Sequence, residues 1–386
     1  MREILSRDFV LTFICHFLFG LCFSSLLPTL PLYLSSVRFD DTQIGVLIGA
    51  FGIASLLLRP ASGIALQRYA HKHIIAFGCV CFTITAPALL FLNSFWPLFL
   101  IRIIQGTSFA LVTTASFALV VEITPPERRS QSIAYFLLSA NISMMIAPSF
   151  GMFLIHKFSF SFLFITLLFI SLGSALMTIP LSMIRSGDGR AAAFELGSLI
   201  SRPAVPASLI SMGQQFGWGA ISTFFSLYAV QKGVSNPGLF FGSMAAAMIA
   251  CRVFGSDLMN KHGPRQLIAI LISGTTFGFA LLAFSGTQVM FVLIGIILGS
   301  ANAFMMPTTM DYAVRRAGPS SGAAVATFMG LSDFGMAIGP VIMGVVASTF
   351  GYSSMFICVA ITSFLNLIYS AWILQDNGRN SLDGSS

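Results

Sequence analysis

The sequence predicts an all-α membrane protein of twelve transmembrane helices, arranged as two six-helix, pseudo-symmetric halves. Three observations carry this. The 386-residue chain is 56% hydrophobic and only 9% charged, with mean hydropathy +0.89, whereas a soluble domain uses about 25% charged residues to cover its surface. Twelve apolar segments each reach the ~20 residues a helix needs to cross a hydrocarbon core of ~30 Å. Finally, residues of the first half recur in the second after a nearly constant shift, as expected of repeats related by an axis along the membrane normal.

The segments run over 8–34, 42–66, 73–92, 96–121, 131–155 and 159–184, then 205–231, 238–259, 266–286, 288–312, 322–349 and 353–374. None alternates apolar and polar residues, which excludes barrel strands. The composition is apolar and aromatic, and the 34 glycines follow no three-residue period, which excludes disordered and collagen-like chains. The first segment is longer than a signal-peptide core and ends without a small-residue cleavage pattern, so it is expected to stay attached. The six cysteines (Cys15, Cys22, Cys79, Cys81, Cys251, Cys358) all lie in apolar runs and read as buried thiols, neither disulfides nor ligands.

Lys and Arg in the gaps set the orientation. With the N terminus inside, fourteen of the twenty fall on the cytoplasmic side. Only Arg38, Lys157 and Lys232 fall outside, while Arg59, Arg102 and Arg252 lie within spans. Both termini are therefore expected in the cytoplasm. The +7 net charge reads as this positive-inside bias rather than as a nucleic-acid surface. The widest polar stretch separates six spans from six. The expected domains are residues 1–184, a cytoplasmic linker at 185–204, a second half at 205–374 and a cytoplasmic tail at 375–386.

The repeat can be followed residue by residue. Arg59-Pro-Ala-Ser-Gly63 with Gln67, Arg68 and Lys72 matches Arg252-Val-Phe-Gly-Ser256 with Asn260, Lys261 and Arg265 at a shift of 193. Asn141 through Ala147-Pro148 matches Asp333 through Gly339-Pro340 at 192.

On these residues the chain resembles the major facilitator superfamily, and within it the twelve-span drug:proton antiporter, or efflux permease, type. The motif after span two is present in part as Gly63, Gln67, Arg68, Ala70, His71 and Lys72, with Gln67 where the family has an aspartate. The span-four motif is intact as Arg102, Gln105 and Gly106; the Gly-Pro motif of span five survives as Ala147-Pro148 and Gly151. The resemblance implies the major facilitator fold, with span two packed on eleven and five on eight, and spans one, four, seven and ten lining a central cavity.

Ionisable groups inside a membrane cost several kcal/mol, so each is a functional candidate. Asp333 lies roughly 16 Å into span eleven, Arg59 about 10 Å from the inner end of span two, and Arg102 about 9 Å from the outer end of span four, at 1.5 Å per residue. The packing implied by the resemblance brings Arg59 toward Asp333, with Asn141 and Arg252 as the symmetric pair. Asp333 is then the candidate proton-exchanging acid, and Arg59, Arg68, Arg102, Arg252 and Asn141 complete the coupling and gating set; the alternative is a permanent structural ion pair. For Arg102 the resemblance implies proton coupling, against snorkelling to the outer headgroups. Asp311, four residues before Arg315, reads as an i,i+4 pair. Asp257 and Glu122 read as inner-end gate or cap residues.

His16 is the one histidine of span one, either a proton or substrate group or a hydrogen-bonded core residue. With Gln105, Gln214, Gln215, Trp218 and Asn302 it makes up the candidate substrate cavity. An aromatic with amides suits an amphipathic organic solute, although the same amides can glue helices together. Gly335, Gly339 and Gly344 with Pro340 allow close helix approach. No phosphate loop, metalloprotease pair or serine elbow occurs, so neither an enzyme, a cofactor nor a metal is expected. The expected partners are a small-molecule substrate, protons and the bilayer, with the chain a monomer and the bacterial inner membrane, by resemblance, its location. The expected activity is proton-coupled export by alternating access. A proton-linked importer of a sugar or metabolite and a transport-inactive sensor are the alternatives.

Overall fold

The computed structural model describes residues 5–125, 128–185, 201–255, 263–317 and 321–380. Asp257, Lys261 and most of the expected linker lie outside this set. Among the described residues the chain is helical and contains no strand. The helices are α1 (Arg7–Ser36), α2 (Asp41–Arg68), α3 (His71–Phe91), α4 (Phe95–Glu122), α5 (Arg129–Lys157), α6 (Phe160–Met177), α7 (Val205–Gln231), α8 (Gly238–Phe254), α9 (Pro264–Phe284) and α10 (Gln288–Ala317). The run Ser321–Asn380 bends at Gly351 (φ 80°, ψ 166°), giving α11 before the bend and α12 after it.

Local chemistry sets several boundaries. Ser6 and Ser159 cap α1 and α6 by accepting from the amides of Phe9 and Phe162 at 3.2 and 3.1 Å. Asp40 and Gln43 form a reciprocal capping box at the start of α2, the Asp40 carboxylate accepting from the Gln43 amide at 2.8 Å and the Gln43 side chain from the Asp40 amide at 3.2 Å. Nine of the described helices are long and apolar enough to cross a membrane, the last of them, Ala323–Ile373, covering the Gly351 bend. At 17 residues α8 is a shorter apolar helix. Helix α7 is outside the nine because Gln214, Gln215, Ser222, Thr223 and Ser226 dilute its apolar character.

Two compact units form: Met1–Phe39 with Ala50–Phe194, and Asp40–Gly49 with Glu195–Ser386. In the first, α1 packs on α5 and α6, and α3 on α4 and α6. In the second, α7 packs on α11 and α12, α8 on α10, and α9 on α10 and α12. Glycine sets the tightest approaches. A Cβ on Gly106 of α4 would stand 2.2 Å from the Phe51 carbonyl oxygen of α2, and one on Gly299 of α10 would stand 2.2 Å from the Met244 carbonyl oxygen of α8. Both glycines and both neighbours are 193 positions apart, the interval of the sequence repeat. A similar contact stands in each unit, off that interval: Tyr33 of α1 donates to the Leu89 carbonyl at 2.5 Å, and Tyr228 of α7 to the Ser285 carbonyl at 2.8 Å.

The first nine residues of α2, Asp41–Gly49, pack as part of the second unit. A Cβ on Gly45 would stand 2.2 Å from the Pro340 oxygen, and one on Gly49 2.3 Å from a Val341 methyl. Thr42 and Ser348 share a hydrogen bond of 2.8 Å, and the Tyr352 hydroxyl donates to Asp41 at 2.7 Å. All six cysteines are free, but only Cys15, Cys22 and Cys79 are buried; Cys81, Cys251 and Cys358 are half-buried, contrary to the reading of six buried thiols.

Candidate functional site

In the first unit, a polar chain crosses from α4 to α3. Arg102 Nη1 donates to Gln105 Oε1 at 2.7 Å, Gln105 Nε2 donates to Thr85 Oγ1 at 3.1 Å, and Thr85 donates to the Phe82 carbonyl at 2.6 Å. The guanidinium carbon lies 4.7 Å from the centre of the Phe51 ring, within cation–π range. The bare Cα of Gly106 lets the Phe51 backbone come close enough for this, so the three residues of the span-four motif act together: a cation, the amide that orients it, and the gap that admits its aromatic neighbour. Arg102 is 4% exposed, which removes the snorkelling alternative. Gln105 is wholly buried, its amide engaged on both sides.

His16 is also buried. Its Nδ1 lies 2.8 Å from Ser139 Oγ of α5, and its ring packs on Phe136 and Phe117 at centroid distances of 4.8 and 6.1 Å. Ser139 has one proton, which points to the Phe136 carbonyl at 2.6 Å. The imidazole therefore donates from Nδ1, leaving Nε2 as the atom that gains or loses a proton.

In the second unit, Gln214 of α7 is tied to Thr275 of α9, its amide nitrogen donating to the Thr275 hydroxyl at 3.1 Å, while the hydroxyl proton goes to the Ile272 carbonyl at 2.9 Å. Gln215 and Trp218 are half-buried on the same helix. The indole nitrogen of Trp218 is buried and has no hydrogen-bond acceptor among the described residues. A buried N–H without a partner costs about 1–3 kcal/mol. Asn302 of α10 donates to the Leu298 carbonyl of its own helix at 3.0 Å.

Asp333 is half-buried twelve residues after the start of α11. Its helix is pressed onto α7: Cβ atoms on Gly335 and Gly339 would stand 2.2 and 2.3 Å from the Met212 and Phe216 carbonyl oxygens, and Ser332 and Ser211 share a bond of 2.6 Å. Arg252 of α8 donates from Nε to the Ala303 carbonyl of α10 at 3.2 Å. Arg59 is half-buried in the first-unit part of α2, Arg68 is exposed at its end, and Asn141 is half-buried on α5 with no hydrogen bond among the described residues. Asp311 and Arg315 form the expected pair at 2.7 Å, both well exposed, and Glu122 is exposed at the end of α4.

Thr85, Ser139 and Thr275 were not among the sequence candidates. Membrane helices use many Ser and Thr hydroxyls to bond their own preceding carbonyls, and nothing in the sequence distinguishes the three that reach another helix. The Asp41–Tyr352 bond was likewise missed, because Asp41 precedes span two in the apolar pattern and Tyr352 falls between two spans.

The family model for the Major Facilitator Superfamily matches residues 12–331 and, again, 238–385. The protein called quinolone resistance protein NorA, from Staphylococcus aureus, is 23% identical over 337 residues, covering 85% of this chain and 87% of its own. The staphylopine export protein of the same species is 21% identical over 392 residues, covering 96% and 97%. The crystal structure of the nucleoside transporter NupG superposes with a TM-score of 0.80 at 17% identity, over 96% of this chain and 99% of that one. The human organic anion transporter MFSD10 (TETRAN) superposes with a TM-score of 0.65 at 17% identity, over 94% and 99%.

Proposed function

Because the chain belongs to the Major Facilitator Superfamily, and so is an integral membrane protein of a family that transports small molecules, we propose that it exports a small organic solute in exchange for protons by alternating access. The observation that carries the coupling is Asp333, a carboxyl in the middle of an apolar helix where the repeat places Asn141 in the other half. Of two symmetry-related positions, only one can bind and release a proton. Export is favoured by the relatives, two of which are named for resistance and for export and match over most of their length. The likeness to a nucleoside transporter, at 17% identity, bears on the fold alone.

In this reading α7 and α8 also cross the bilayer, and the Gly351 bend separates two spans, which makes twelve helices in two pseudo-symmetric halves. The halves are residues 1–184 and 205–374, joined by a cytoplasmic linker at 185–204, with both termini in the cytoplasm of a bacterial inner membrane. Protonation of Asp333 weakens its hold on basic partners and shifts the balance between two states of the transporter. Arg59, Arg68, Arg102, Arg252 and Asn141 are the groups through which that shift is coupled. The solute meets His16, Gln105, Gln214, Gln215, Trp218 and Asn302, with Trp218 offering the hydrogen-bond donor.

Purified protein in sealed vesicles with an acid lumen tests this. Adding a transported compound outside releases lumenal protons, and Asp333→Asn abolishes the release while leaving compound binding in place. Normal proton release by Asp333→Asn would overturn the assignment of the acid, and compound uptake without proton movement would overturn the coupling.

A further inference from the structure

Where α7 ends and α11 bends into α12, the second unit holds a pocket of about 300 Å³, lined by Tyr228, Gln231, Lys232, Phe350, Tyr352 and Ser353 around Gly351. None of these residues belongs to the proposed proton or solute path. The floor is rigid. Tyr228 is 1% exposed and its hydroxyl proton is given to Ser285, while the Tyr352 hydroxyl proton is given to Asp41.

The polar groups of the rim are uncommitted. Lys232 Nζ sits 5.4 Å from the centre of the Tyr228 ring and has no carboxylate partner among the described residues. The side chains of Gln231 and Ser353 make no hydrogen bond among the described residues either. Asp41, which accepts from the Tyr352 hydroxyl at 2.7 Å, is not among the residues that line the pocket. Gly351, at φ 80°, breaks the helix, and α12 restarts with Tyr352 and Ser353 facing the pocket, which adds the positive end of a helix dipole to the lysine. Phe350, 71% exposed, adjoins this polar rim as an apolar wall.

A cation, a hydroxyl, an amide and a helix start, set beside an exposed phenyl ring at the ends of membrane helices, match one kind of ligand. Its anionic oxygens must meet Lys232 and its apolar chain must run past Phe350. We propose that this pocket binds the phosphodiester headgroup of an anionic glycerophospholipid, with Lys232 as its charge partner and Ser353 as a hydrogen-bond donor. Because Tyr352 also holds Asp41, a seated headgroup steadies the start of the α2 segment that packs in this unit.

The test needs no transport substrate, so its outcome is independent of the proposed export activity. Full-length protein in neutral detergent is titrated with dioctanoyl phosphatidylglycerol, dioctanoyl phosphatidylcholine and inorganic phosphate. Thermal unfolding and native mass spectrometry report binding. Phosphatidylglycerol stabilises saturably and is retained at one molecule per chain, and Lys232→Gln raises its half-saturation concentration about ten-fold, which corresponds to about 1.4 kcal/mol. Ser353→Ala gives a smaller rise. Lys157→Gln, which removes a lysine likewise placed over an aromatic ring (Phe153, 5.7 Å) but outside the pocket, leaves it unchanged. Stabilisation by inorganic phosphate at comparable concentrations, lost in Lys232→Gln, would assign the site to free phosphate instead of lipid. Equal stabilisation by phosphatidylcholine, or an unchanged titration in Lys232→Gln, would overturn the site.

Discussion

Replacing Gly106 by alanine tests whether the span-four motif works by bringing an aromatic ring onto a buried arginine. The new Cβ would lie 2.2 Å from the Phe51 carbonyl oxygen and 3.0 Å from the Ala54 side chain. The obstacle is backbone, which no rotamer change can move aside, so α2 must retreat from α4 by about 1 Å, and overpacking of this kind costs about 1–3 kcal/mol. Alanine returns up to ~1 kcal/mol through its higher helix propensity. With the full return that leaves a net loss of about 0–2 kcal/mol, plus about 0.5–2 kcal/mol as Phe51 withdraws from the Arg102 guanidinium. The repeat supplies the control. Gly299→Ala meets the Met244 carbonyl oxygen at the same 2.2 Å and gains the same propensity, but no guanidinium is stacked on an aromatic ring there: Gly295 occupies the position equivalent to Arg102, and Arg252 holds the Ala303 carbonyl one turn away. Thermal unfolding in detergent, followed with a thiol-reactive dye on the six free cysteines, should show a fall for both variants, at about 2–4 °C per kcal/mol. The fall should be larger for Gly106→Ala. Flux in vesicles should drop about ten-fold for Gly106→Ala and stay near normal for Gly299→Ala. Equal losses of flux in the two variants would refute the argument that Arg102 and Phe51 form the working contact, and no thermal shift in either would refute the close approach itself.

Three further outcomes follow from the same geometry. Trp218→Phe keeps the ring and removes the unpartnered N–H, so stability should hold or rise, while affinity for a transported compound that carries a hydrogen-bond acceptor falls about 5- to 15-fold; isothermal titration separates the two effects. Thr275→Val should cost about 1–2 kcal/mol because it strands the buried Gln214 amide, Gln214→Leu should cost less because Thr275 still donates to the Ile272 carbonyl, and the double variant should cost less than the sum; a double-mutant cycle on thermal unfolding measures this. Tyr33→Phe and Tyr228→Phe should destabilise by a similar ~1 kcal/mol each, because the two phenols close the same kind of helix-end carbonyl in the two units.

What the sequence reveals and what it hides divide along a physical line. Helices α1 to α5 and α7 begin and end within three residues of the apolar runs, because a span is defined by its own composition. The i,i+4 pair of Asp311 with Arg315 is equally local. Glycines 335 and 339 are found as close-approach sites since only a missing side chain admits a backbone at 2.2–2.3 Å. The partners that complete the polar sites are hidden. Thr85 and Thr275 look, in one dimension, like any other membrane hydroxyl, and in fact each also donates to a carbonyl of its own helix, to Phe82 and Ile272. Whether such a residue additionally accepts from Gln105 or bonds with Gln214 depends on the crossing of two helices. The α2 start is a further case: Asp41 lies at the polar edge of its span, and its role appears only once Tyr352, more than three hundred residues away, is placed beside it.

The repeat also separates scaffold from chemistry. Gly106 and Gly299, Phe51 and Met244, Pro148 and Pro340 keep their shape across the two halves, and where the structure reports their contacts, the helices cross in the same way. At the same interval Arg102 faces Gly295, Gln105 faces Leu298, and Asn141 faces Asp333 at the 192 interval of its own helix. A duplicated bundle needs neither the buried arginine nor the buried amide of α4 to pack, since Gly295 and Leu298 stand at the equivalent positions of α10. Each carries a desolvation cost that the equivalent position avoids. The cheapest explanation of a buried polar group would be a structural one, but a structural need arising from the shared fold would appear in both halves. The residues that break the repeat are therefore where the two halves stop doing the same thing, and the proposed proton exchange is placed at one of them, Asp333.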